Sequence, residues 1–364
     1  MGAAYSSVAP SHEIKKIVKN TKSKKLDGPK EVQVRQHEYS LHIGPGSKKD
    51  FKLSPRIEPI TENTLPTASS CGSFLASERI TEKVAVIGAG SFGTSMATVA
   101  ARNHHSVLLY ARDTEQAHVI NTEHRNPKYL SQYPLLRNIR AVTNVKEALQ
   151  DATVIIFTLP AQVVYQWIAD HAHLISPTAL MVNTAKGLDL KRKRLLSDAV
   201  RDGIGRVQPY VVLSGPSFAK EIMQEMPTAV VAASLSQTHC NRVKRILHQT
   251  SFMVYTSEDV IGVELGGALK NPLAIGAGVI QGLGLGSNTM STYVTLASLE
   301  LQELCVAMGG EKDTMTGLAG AGDLMLTAFG DLSRNRNLGK QLAEGLSLSL
   351  SSLLLPNMSS LDLL

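Results

Sequence analysis

Cysteine is scarce in this 364-residue sequence, and long apolar runs are absent. The three cysteines, Cys71, Cys240 and Cys305, are scattered and lack the close spacing of zinc ligands. Their number and placement argue against a disulfide framework and a metal site, and they suit a reducing compartment. No segment approaches the ~18 consecutive apolar residues of a membrane-spanning helix. The length is sufficient for two domains with a sizeable core.

Net charge is also absent from most of the chain, although the whole sequence carries +6. Residues 1–60 contain 12 Lys and Arg against 6 Asp and Glu, which leaves 25 residues of each sign in the other 304. A nucleic-acid-binding fold would normally carry its basic surplus on the folded surface. The neutral body therefore predicts no nucleic acid partner, and the basic charge belongs to an N-terminal tail.

Residues 1–80 are rich in Lys, Ser, Pro and Gly and show little apolar periodicity. This composition predicts a basic, disordered extension. Its first residues, Met-Gly-Ala-Ala-Tyr-Ser, fit the pattern for myristoylation of Gly2, a short pattern that often arises by chance. One acyl chain beside basic residues would give weak membrane association through the tail. A plastid-targeting peptide is the competing interpretation, and without one we expect a cytoplasmic protein.

Short apolar runs separated by helix-compatible stretches begin after residue 81. Five of them predict buried strands, at residues 84–87, 107–110, 154–157, 179–182 and 210–213, and residues 229–233 and 252–255 extend the series. Continuous apolar strands that alternate with helices are typical of a parallel sheet covered on both faces. Further along, Gly-, Ala- and Leu-rich helical spacing replaces the strands. The predicted parts are an α/β domain over 81–257, an all-helical domain over 258–345 and a low-complexity tail over 346–364.

A glycine-rich turn follows the first predicted strand. Gly88 permits the tight turn, Gly90 lets the backbone approach a pyrophosphate, and Gly93 lets the next helix pack on the strand. Strand, glycines, helix and second strand occur in the order of a Rossmann-type dinucleotide site. The second strand is followed by Arg112 and Asp113; an acid there would bind the ribose of NAD, and an arginine would accept the extra phosphate of NADP. The choice between NAD and NADP stays open.

Polar groups appear again in three later segments. Lys186, after the fourth apolar run, would face the sheet edge where ligands bind. Lys270 stands among small, apolar residues, where desolvation would lower its pKa and make it a useful acid. Residues 333–337 combine hydroxyl, guanidinium and amide groups that suit a phosphate. Taken singly, these segments are also compatible with a plain turn, a surface lysine and a polar loop.

Together the motifs form one pattern along the chain. In order they read Gly-x-Gly-Ser-Phe-Gly-Thr at 88–94, Asn-Pro-Lys-Tyr-Leu at 126–130, Lys-Gly-Leu at 186–188, Ser-Gly-Pro-Ser-Phe-Ala at 214–219, Gly-Val-Glu-x-Gly-Gly-Ala-Leu-Lys-Asn at 262–271, Gly-x-x-Gly-x-Gly-Asp-Leu at 317–324 and Leu-Ser-Arg-Asn at 332–335. The pattern resembles the NAD(P)-dependent glycerol-3-phosphate dehydrogenase family, in particular its bacterial and plastid types, over roughly residues 81–345. The resemblance implies a Rossmann-type N-terminal domain, a helical C-terminal domain, and NAD or NADP as cofactor. It also implies interconversion of dihydroxyacetone phosphate and sn-glycerol 3-phosphate, a homodimer, and supply of glycerophospholipid synthesis.

The resemblance further implies a role for each matching residue. Lys270 would be the acid and base at the substrate carbonyl, Lys186 would stabilise the developing alkoxide, and Asp323 would hold Lys270. The implied substrate contacts are these three residues together with Gly215, Ser217, Ser333, Arg334 and Asn335. The implied cofactor contacts are Gly88, Gly90, Ser91, Phe92, Gly93, Arg112, Tyr129, Lys186, Ala219 and Arg334.

The sequence departs from the family pattern at three places. The Ser- and Leu-rich end after Gly345 does not resemble the family's further helices, so we expect a truncated C-terminus. Pro272 stands where a branched apolar residue is usual and is expected to kink the helix beside Lys270. His104 replaces a turn glycine. Two other functions stay open at this point: a 6-phosphogluconate or hydroxyacid dehydrogenase of the same architecture, and an inactive cofactor-binding pseudoenzyme.

Overall fold

The computed structural model describes residues 81–347, which fold around an eight-stranded sheet. The strands, in chain order, are β1 (Lys83–Ile87), β2 (Ser106–Tyr110), β3 (Ile139–Val142), β4 (Val154–Phe157), β5 (Leu180–Asn183), β6 (Tyr210–Ser214), β7 (Thr228–Ala233) and β8 (Phe252–Ser257). Side by side they lie in the order β3-β2-β1-β4-β5-β6-β7-β8. The predicted extension over 1–80, with its Gly2 pattern, and all but the first two residues of the predicted tail over 346–364 lie outside the described residues.

Six of the seven strand pairs are parallel, as the continuous apolar runs predicted. The pair formed by β6 and β7 is antiparallel, so the expectation of a wholly parallel sheet is wrong at this position. The apolar pattern of a strand carries no information about its direction. Strand β3 has no counterpart among the predicted strands, because its run is only four residues long and includes the exposed Arg140.

Alternate residues of the central strands contribute to two apolar cores, one on each face of the sheet. In β1, Val84 and Val86 join one core, and Ala85 and Ile87 join the other. The helices that belong to this part are α1 (Ser91–Arg102), α2 (Thr114–Glu123), α3 (Val145–Leu149), α4 (Ala161–His171), α5 (Leu196–Ile204), α6 (Ala219–Met223) and α7 (Gln237–Leu247). Burial on both faces explains why these strands read as uninterrupted apolar runs.

An all-helical part follows the sheet, which confirms the predicted fold class. It consists of α8 (Val260–Gly282), α9 (Gly286–Ala307), α10 (Lys312–Thr316), a π-helical turn (Leu318–Gly322), α11 (Asp323–Phe329) and α12 (Arg334–Ala343). Pro272 lies inside α8, where its ring nitrogen cannot donate to the preceding turn, yet the helix continues without interruption to Gly282. Within residues 81–347, no helix is both long and apolar enough to cross a membrane.

Glycines let α8 and α12 approach each other until their backbones touch. A β-carbon added to Gly278 would lie 1.9 Å from the carbonyl oxygen of Arg336. One added to Gly282, a turn further along α8, would lie 2.7 Å from the β-carbon of Ala343. The contacts advance together along both helices, so the two helices run in the same direction. The first residues of α12 therefore lie on the side of the crossing that carries Lys270.

Gly339→Ala is expected to destabilise the helical part, because the new β-carbon would lie 1.9 Å from the carbonyl oxygen of Ile275. Overpacking of this kind costs about 1–3 kcal/mol. Lys340→Ala, an exposed change in the same helix, is the control and should alter stability by no more than about 0.5 kcal/mol. Urea unfolding followed by circular dichroism measures both variants. Equal stability of the two would contradict the close helix crossing.

Candidate active site

The turn between β1 and α1 requires glycine at two positions. Gly88 has a φ of +113°, a conformation that residues with a side chain rarely adopt. A β-carbon on Gly93 would lie 1.8 Å from the Gly88 carbonyl oxygen, so α1 packs directly on the turn. By contrast, nothing lies within 4 Å of a β-carbon built on Gly90. Space therefore remains at Gly90 for the atoms of a bound molecule to approach the backbone.

The N-terminus of α1 is open to an anion. No side chain caps this helix at Gly90, and its first turn contains no acidic residue. The free N–H groups of such a turn attract negative charge. These features fit the pyrophosphate of NAD or NADP, and the predicted contacts Ser91 and Phe92 are the first residues of the helix. The Ser95 hydroxyl donates to the Ala219 carbonyl oxygen at 3.1 Å, which places Ala219 beside the same helix.

A buried asparagine attaches a second predicted contact to this turn. Asn126 donates from Nδ2 to the carbonyl oxygen of Ala89 at 3.0 Å and to Thr94 Oγ1 at 2.8 Å. Its Oδ1 accepts from the Tyr129 N–H at 3.3 Å, so the loop that carries Tyr129 is held against the glycine turn. Asn126 had no predicted role of its own. Its position before a proline, in a loop between a helix and a strand, was the available signal.

Of the two charged residues that follow β2, one is exposed and the other already has hydrogen-bond partners. Arg112 is exposed. Asp113 caps α2 by accepting from the Gln116 N–H at 2.8 Å, and it pairs with Lys128. The hydrogen bond from Lys128 lowers the pKa of the Asp113 carboxyl. The acid that could bind a ribose therefore already has two partners, and Lys128 adds a second cation near Arg112.

A buried carboxylate joins two lysines from distant parts of the chain. Asp323, the first residue of α11, is fully buried. Its Oδ1 accepts from Lys270 Nζ at 2.5 Å, and its Oδ2 accepts from Lys186 Nζ at 2.6 Å. Lys270 lies on α8, and Lys186 follows β5 at the carboxyl edge of the sheet. The three residues that the sequence pattern marked for catalysis are thus in direct contact.

The environment of Lys270 lowers the pKa of its amine to about 7. The largest cause is desolvation by burial, the positive charge of Lys186 acts in the same direction, and the negative charge of Asp323 opposes both. An amine with this pKa exists in both protonation states near neutral pH. Such a group can donate a proton or accept one, which is what general acid and base catalysis requires.

Lys186 is fixed from two further sides. Its Nζ donates to the carbonyl oxygen of Gly215 at 2.9 Å, and the Ser217 hydroxyl donates to the same oxygen at 2.9 Å. Gly267 of α8 packs closely enough that a β-carbon there would lie 3.4 Å from Lys186 Cγ and 2.7 Å from Ser214 Oγ. The predicted substrate contacts Gly215 and Ser217 therefore lie beside the lysine cluster.

Thr327 belongs to the lysine cluster and was not among the predicted site residues. Its Oγ1 accepts from Lys270 Nζ at 2.9 Å and donates to the Asp323 carbonyl oxygen at 2.7 Å. Thr327 follows Asp323 by four residues, so both lie on one face of α11. That spacing was the available signal. With Asp323 and Thr327 as acceptors, the ammonium of Lys270 has two partners besides any ligand.

The segment predicted to bind a phosphate begins α12. The Ser333 hydroxyl caps the helix by accepting from the Arg336 N–H at 3.2 Å. Arg334 is exposed and Asn335 is half-buried. Ser333 is buried and its oxygen accepts the cap hydrogen bond, so this hydroxyl has a structural role that was not predicted. Among residues 81–347, no group of three or more His, Cys, Asp and Glu could hold a metal ion.

Comparison with known proteins assigns both parts of the chain. Residues 83–240 match the family described as NAD-dependent glycerol-3-phosphate dehydrogenase N-terminus, and residues 259–357 match the C-terminus of the same family. The chain belongs to the NAD-dependent glycerol-3-phosphate dehydrogenase family. The second match extends to residue 357, so the likeness to this dehydrogenase family reaches beyond residue 345, where we expected it to end.

Relatives of this glycerol-3-phosphate dehydrogenase family member occur in plants and bacteria. The chloroplastic glycerol-3-phosphate dehydrogenase [NAD(+)] 2 of Arabidopsis thaliana is 41% identical over 73% of this chain and 64% of its own length, less than two thirds of that relative. The glycerol-3-phosphate dehydrogenase [NAD(P)+] of Desulfovibrio desulfuricans is 40% identical over 72% of this chain and 79% of its own. The crystal structure of glycerol-3-phosphate dehydrogenase from Coxiella burnetii matches with a TM-score of 0.74 and 35% identity, over 78% of this chain and 86% of that one.

Gly90→Ala is expected to weaken NADH binding while leaving the fold intact. The methyl group meets no protein atom, but it occupies the space above the turn where a pyrophosphate would approach. We expect the dissociation constant, measured by NADH fluorescence, to rise about tenfold or more, which corresponds to about 1.4 kcal/mol. Gly93→Ala is the matched contrast, because its methyl group collides with the backbone and should unfold the domain. Unchanged NADH affinity in Gly90→Ala would contradict this placement of the cofactor.

Proposed function

We propose that this chain is a glycerol-3-phosphate dehydrogenase that reduces dihydroxyacetone phosphate to sn-glycerol 3-phosphate and catalyses the reverse reaction. The observation that carries the proposal is the contact of Lys270 and Lys186 with the buried Asp323, at the carboxyl edge of a dinucleotide-binding sheet. Ligands of open α/β sheets bind at this edge, beside the point where the strand order reverses. Here that point lies between β1 and β4.

We propose Lys270 as the acid and base of the reaction. When bound, NADH or NADPH would supply the hydride for the substrate carbonyl carbon, and the oxidised cofactor would accept it in the reverse direction. During reduction, Lys270 Nζ donates its proton to the carbonyl oxygen, and in the reverse direction the neutral amine takes the hydroxyl proton. Asp323 and Thr327 hold this nitrogen in place through their hydrogen bonds. Lys186 forms an ion pair with the same carboxylate and would stabilise the developing alkoxide.

We propose that the start of α12 binds the substrate phosphate. Arg334 and Asn335 lie in the first turn of that helix, whose N–H groups favour an anion, and the crossing with α8 puts this end on the side of Lys270. A guanidinium can grip a phosphate through two hydrogen bonds. Ser333 contributes by fixing the helix start through its cap. Arg334 would also contact the cofactor.

The remaining assignments are extensions of this proposal. We propose that residues 81–257 bind the dinucleotide, with Arg112 and Tyr129 at its adenosine end, and that residues 258–345 bind substrate and form the contact of a homodimer. We also propose a cytoplasmic location, with a plastid as the alternative, and weak membrane association through the N-terminal tail. The product would supply glycerophospholipid synthesis. The Asp113–Lys128 ion pair supports the placement of Arg112 near Tyr129, since it joins their neighbouring residues.

Dihydroxyacetone phosphate is expected to oxidise NADH or NADPH in the presence of the purified chain. With NAD or NADP, 6-phosphogluconate is expected to give no turnover, because the proposal assigns a triose phosphate to Lys270 and the start of α12. Absorbance at the reduced nicotinamide band measures both reactions. Turnover of 6-phosphogluconate without turnover of dihydroxyacetone phosphate would overturn the assignment.

Lys270→Ala is expected to lower kcat by about 100- to 10,000-fold, the usual contribution of a general acid, with little change in NADH affinity. The reason is that its proton acts at the transition state, whereas the proposed pyrophosphate site is the glycine turn at residues 88–93. Lys244→Ala, a change of an exposed lysine on α7, is the control and should keep wild-type kinetics. Wild-type turnover in Lys270→Ala would refute the role of this residue.

The rate should depend on pH in opposite ways for the two directions. The pKa of Lys270 is lowered to about 7, so the proton needed for reduction is lost above that pH, and the neutral amine needed for oxidation is lost below it. We expect kcat for reduction to fall about tenfold per pH unit above about 7, and kcat for oxidation to rise up to that pH and then level off. Thr327→Val removes an acceptor for the ammonium, so the midpoints of both pH–rate profiles should move to lower pH. Midpoints near pH 10 in these profiles would contradict the desolvation of Lys270.

A further inference from the structure

A second buried carboxylate lies on α8, away from the lysine cluster. Glu264 is 6% exposed and accepts three hydrogen bonds. The Ser197 N–H and hydroxyl donate to it at 2.9 and 2.7 Å, and the Tyr210 hydroxyl donates at 3.0 Å. All three donors are neutral. Burial raises the pKa of the Glu264 carboxyl to about 7, so keeping a charge here is unfavourable and calls for a reason.

The partners of Glu264 belong to the α/β part of the molecule. Ser197 lies in the first turn of α5, and Tyr210 is the first residue of β6. Two segments of the chain, one in β6 and one in α8, lead from this contact to the lysine cluster. Along β6, the chain runs from Tyr210 to Ser214, and Lys186 donates to the Gly215 carbonyl just beyond. Along α8, it runs from Glu264 to Lys270, six residues or roughly 9 Å further.

Between Glu264 and Lys270, α8 packs closely against two neighbouring segments. A β-carbon on Gly266 would lie 2.3 Å from the Ala319 carbonyl oxygen, in the turn that leads to Asp323. One on Gly267 would lie 2.7 Å from Ser214 Oγ. Close packing of this kind resists approach but not sliding or separation. The three hydrogen bonds of Glu264 supply the directional contact that packing lacks.

We propose that Glu264 is a positioning residue, which through Ser197 and Tyr210 fixes α8 on the α/β part and thereby sets the place of Lys270 relative to the dinucleotide turn. The effect on rate rests on the glycerol-3-phosphate dehydrogenase activity proposed above. The contact itself does not. A misplacement of about 1 Å at a reacting group can cost on the order of 100-fold in rate.

The test compares Glu264→Ala with Glu264→Gln. Glutamine can keep every contact, because its oxygen accepts from the Ser197 N–H and from Tyr210 while its amide donates to the Ser197 hydroxyl. We expect Glu264→Ala to lower kcat about 30-fold or more with NADH affinity within about threefold of wild type, and Glu264→Gln to restore kcat to within about threefold. Glu82→Ala is the matched control, since Glu82 is also buried and bound by Arg242 at 2.7 and 2.8 Å, at the start of β1. Glu82→Ala should lower the stability of the protein, but its kcat should equal that of wild type when both are assayed well below the unfolding temperature.

Hydrogen exchange gives a readout that does not depend on turnover. In Glu264→Ala, the amides of α8 should exchange faster, while those of β1, β2 and β4 stay protected. If wild-type protein fails to reduce dihydroxyacetone phosphate, the proposed function fails, but this exchange pattern still tests the contact. If Glu264→Ala does not fold, Tyr210→Phe, which removes one donor, should lower kcat about threefold to tenfold with unchanged NADH affinity. Three results would overturn the proposal. The first is wild-type kcat in Glu264→Ala, or in Tyr210→Phe if Glu264→Ala does not fold. The others are a loss of kcat equal to that in Glu82→Ala and hydrogen exchange that rises evenly over the whole chain.

Discussion

The active site depends on one buried carboxylate that holds two ammonium groups. Asp323 is fully buried and receives hydrogen bonds from Lys270 at 2.5 Å and from Lys186 at 2.6 Å. A carboxylate without partners would be too costly to bury, and two unscreened lysines would repel each other. The three charges are therefore stable only together. Since Lys186 follows the sheet and Lys270 lies on α8, this contact also requires the α/β part and the helical part to meet in one arrangement.

Glycines in α8 let the helix pack close enough to its neighbours for this arrangement to form. Where α8 passes the sheet edge and the turn before Asp323, it carries Gly266 and Gly267, and a side chain at either would collide with Ala319 or Ser214. Where it passes α12, Gly278 has the same function. Small residues let the helix deliver Lys270 to a site that is already crowded by Lys186. The same crowding excludes water, which is why the pKa of Lys270 falls to about 7.

Much of the fold could be predicted from local patterns, because each pattern had a local cause. Strands buried on both faces read as apolar runs, and the glycine turn reads as Gly88, Gly90 and Gly93 because each serves a separate steric need. Strand β3 and the reversed direction of β7 and β8 were not predictable in this way, since a short run with one exposed arginine is ambiguous and periodicity does not encode direction.

The candidate site was predictable where residue type alone suggests chemistry, and not where contacts join distant segments. Lys270 stood out as a lysine among small, apolar neighbours, and it is buried as that setting suggested. Thr327 is 57 residues away from Lys270, and Glu264 is 54 residues away from Tyr210. No local sequence pattern predicts contacts between residues this far apart. Ser333 was assigned to a phosphate from its hydroxyl, and only the structure reveals that this oxygen caps a helix.

The most direct test of the account is a side-chain NMR titration of Lys270 in ¹⁵N-labelled protein, with the signal assigned by its loss in Lys270→Met. We expect the ammonium of this residue to titrate near pH 7, because it is desolvated and faces a second positive charge. Titration near the value of about 10.4 that an exposed lysine shows would contradict a buried cluster of Lys270, Lys186 and Asp323.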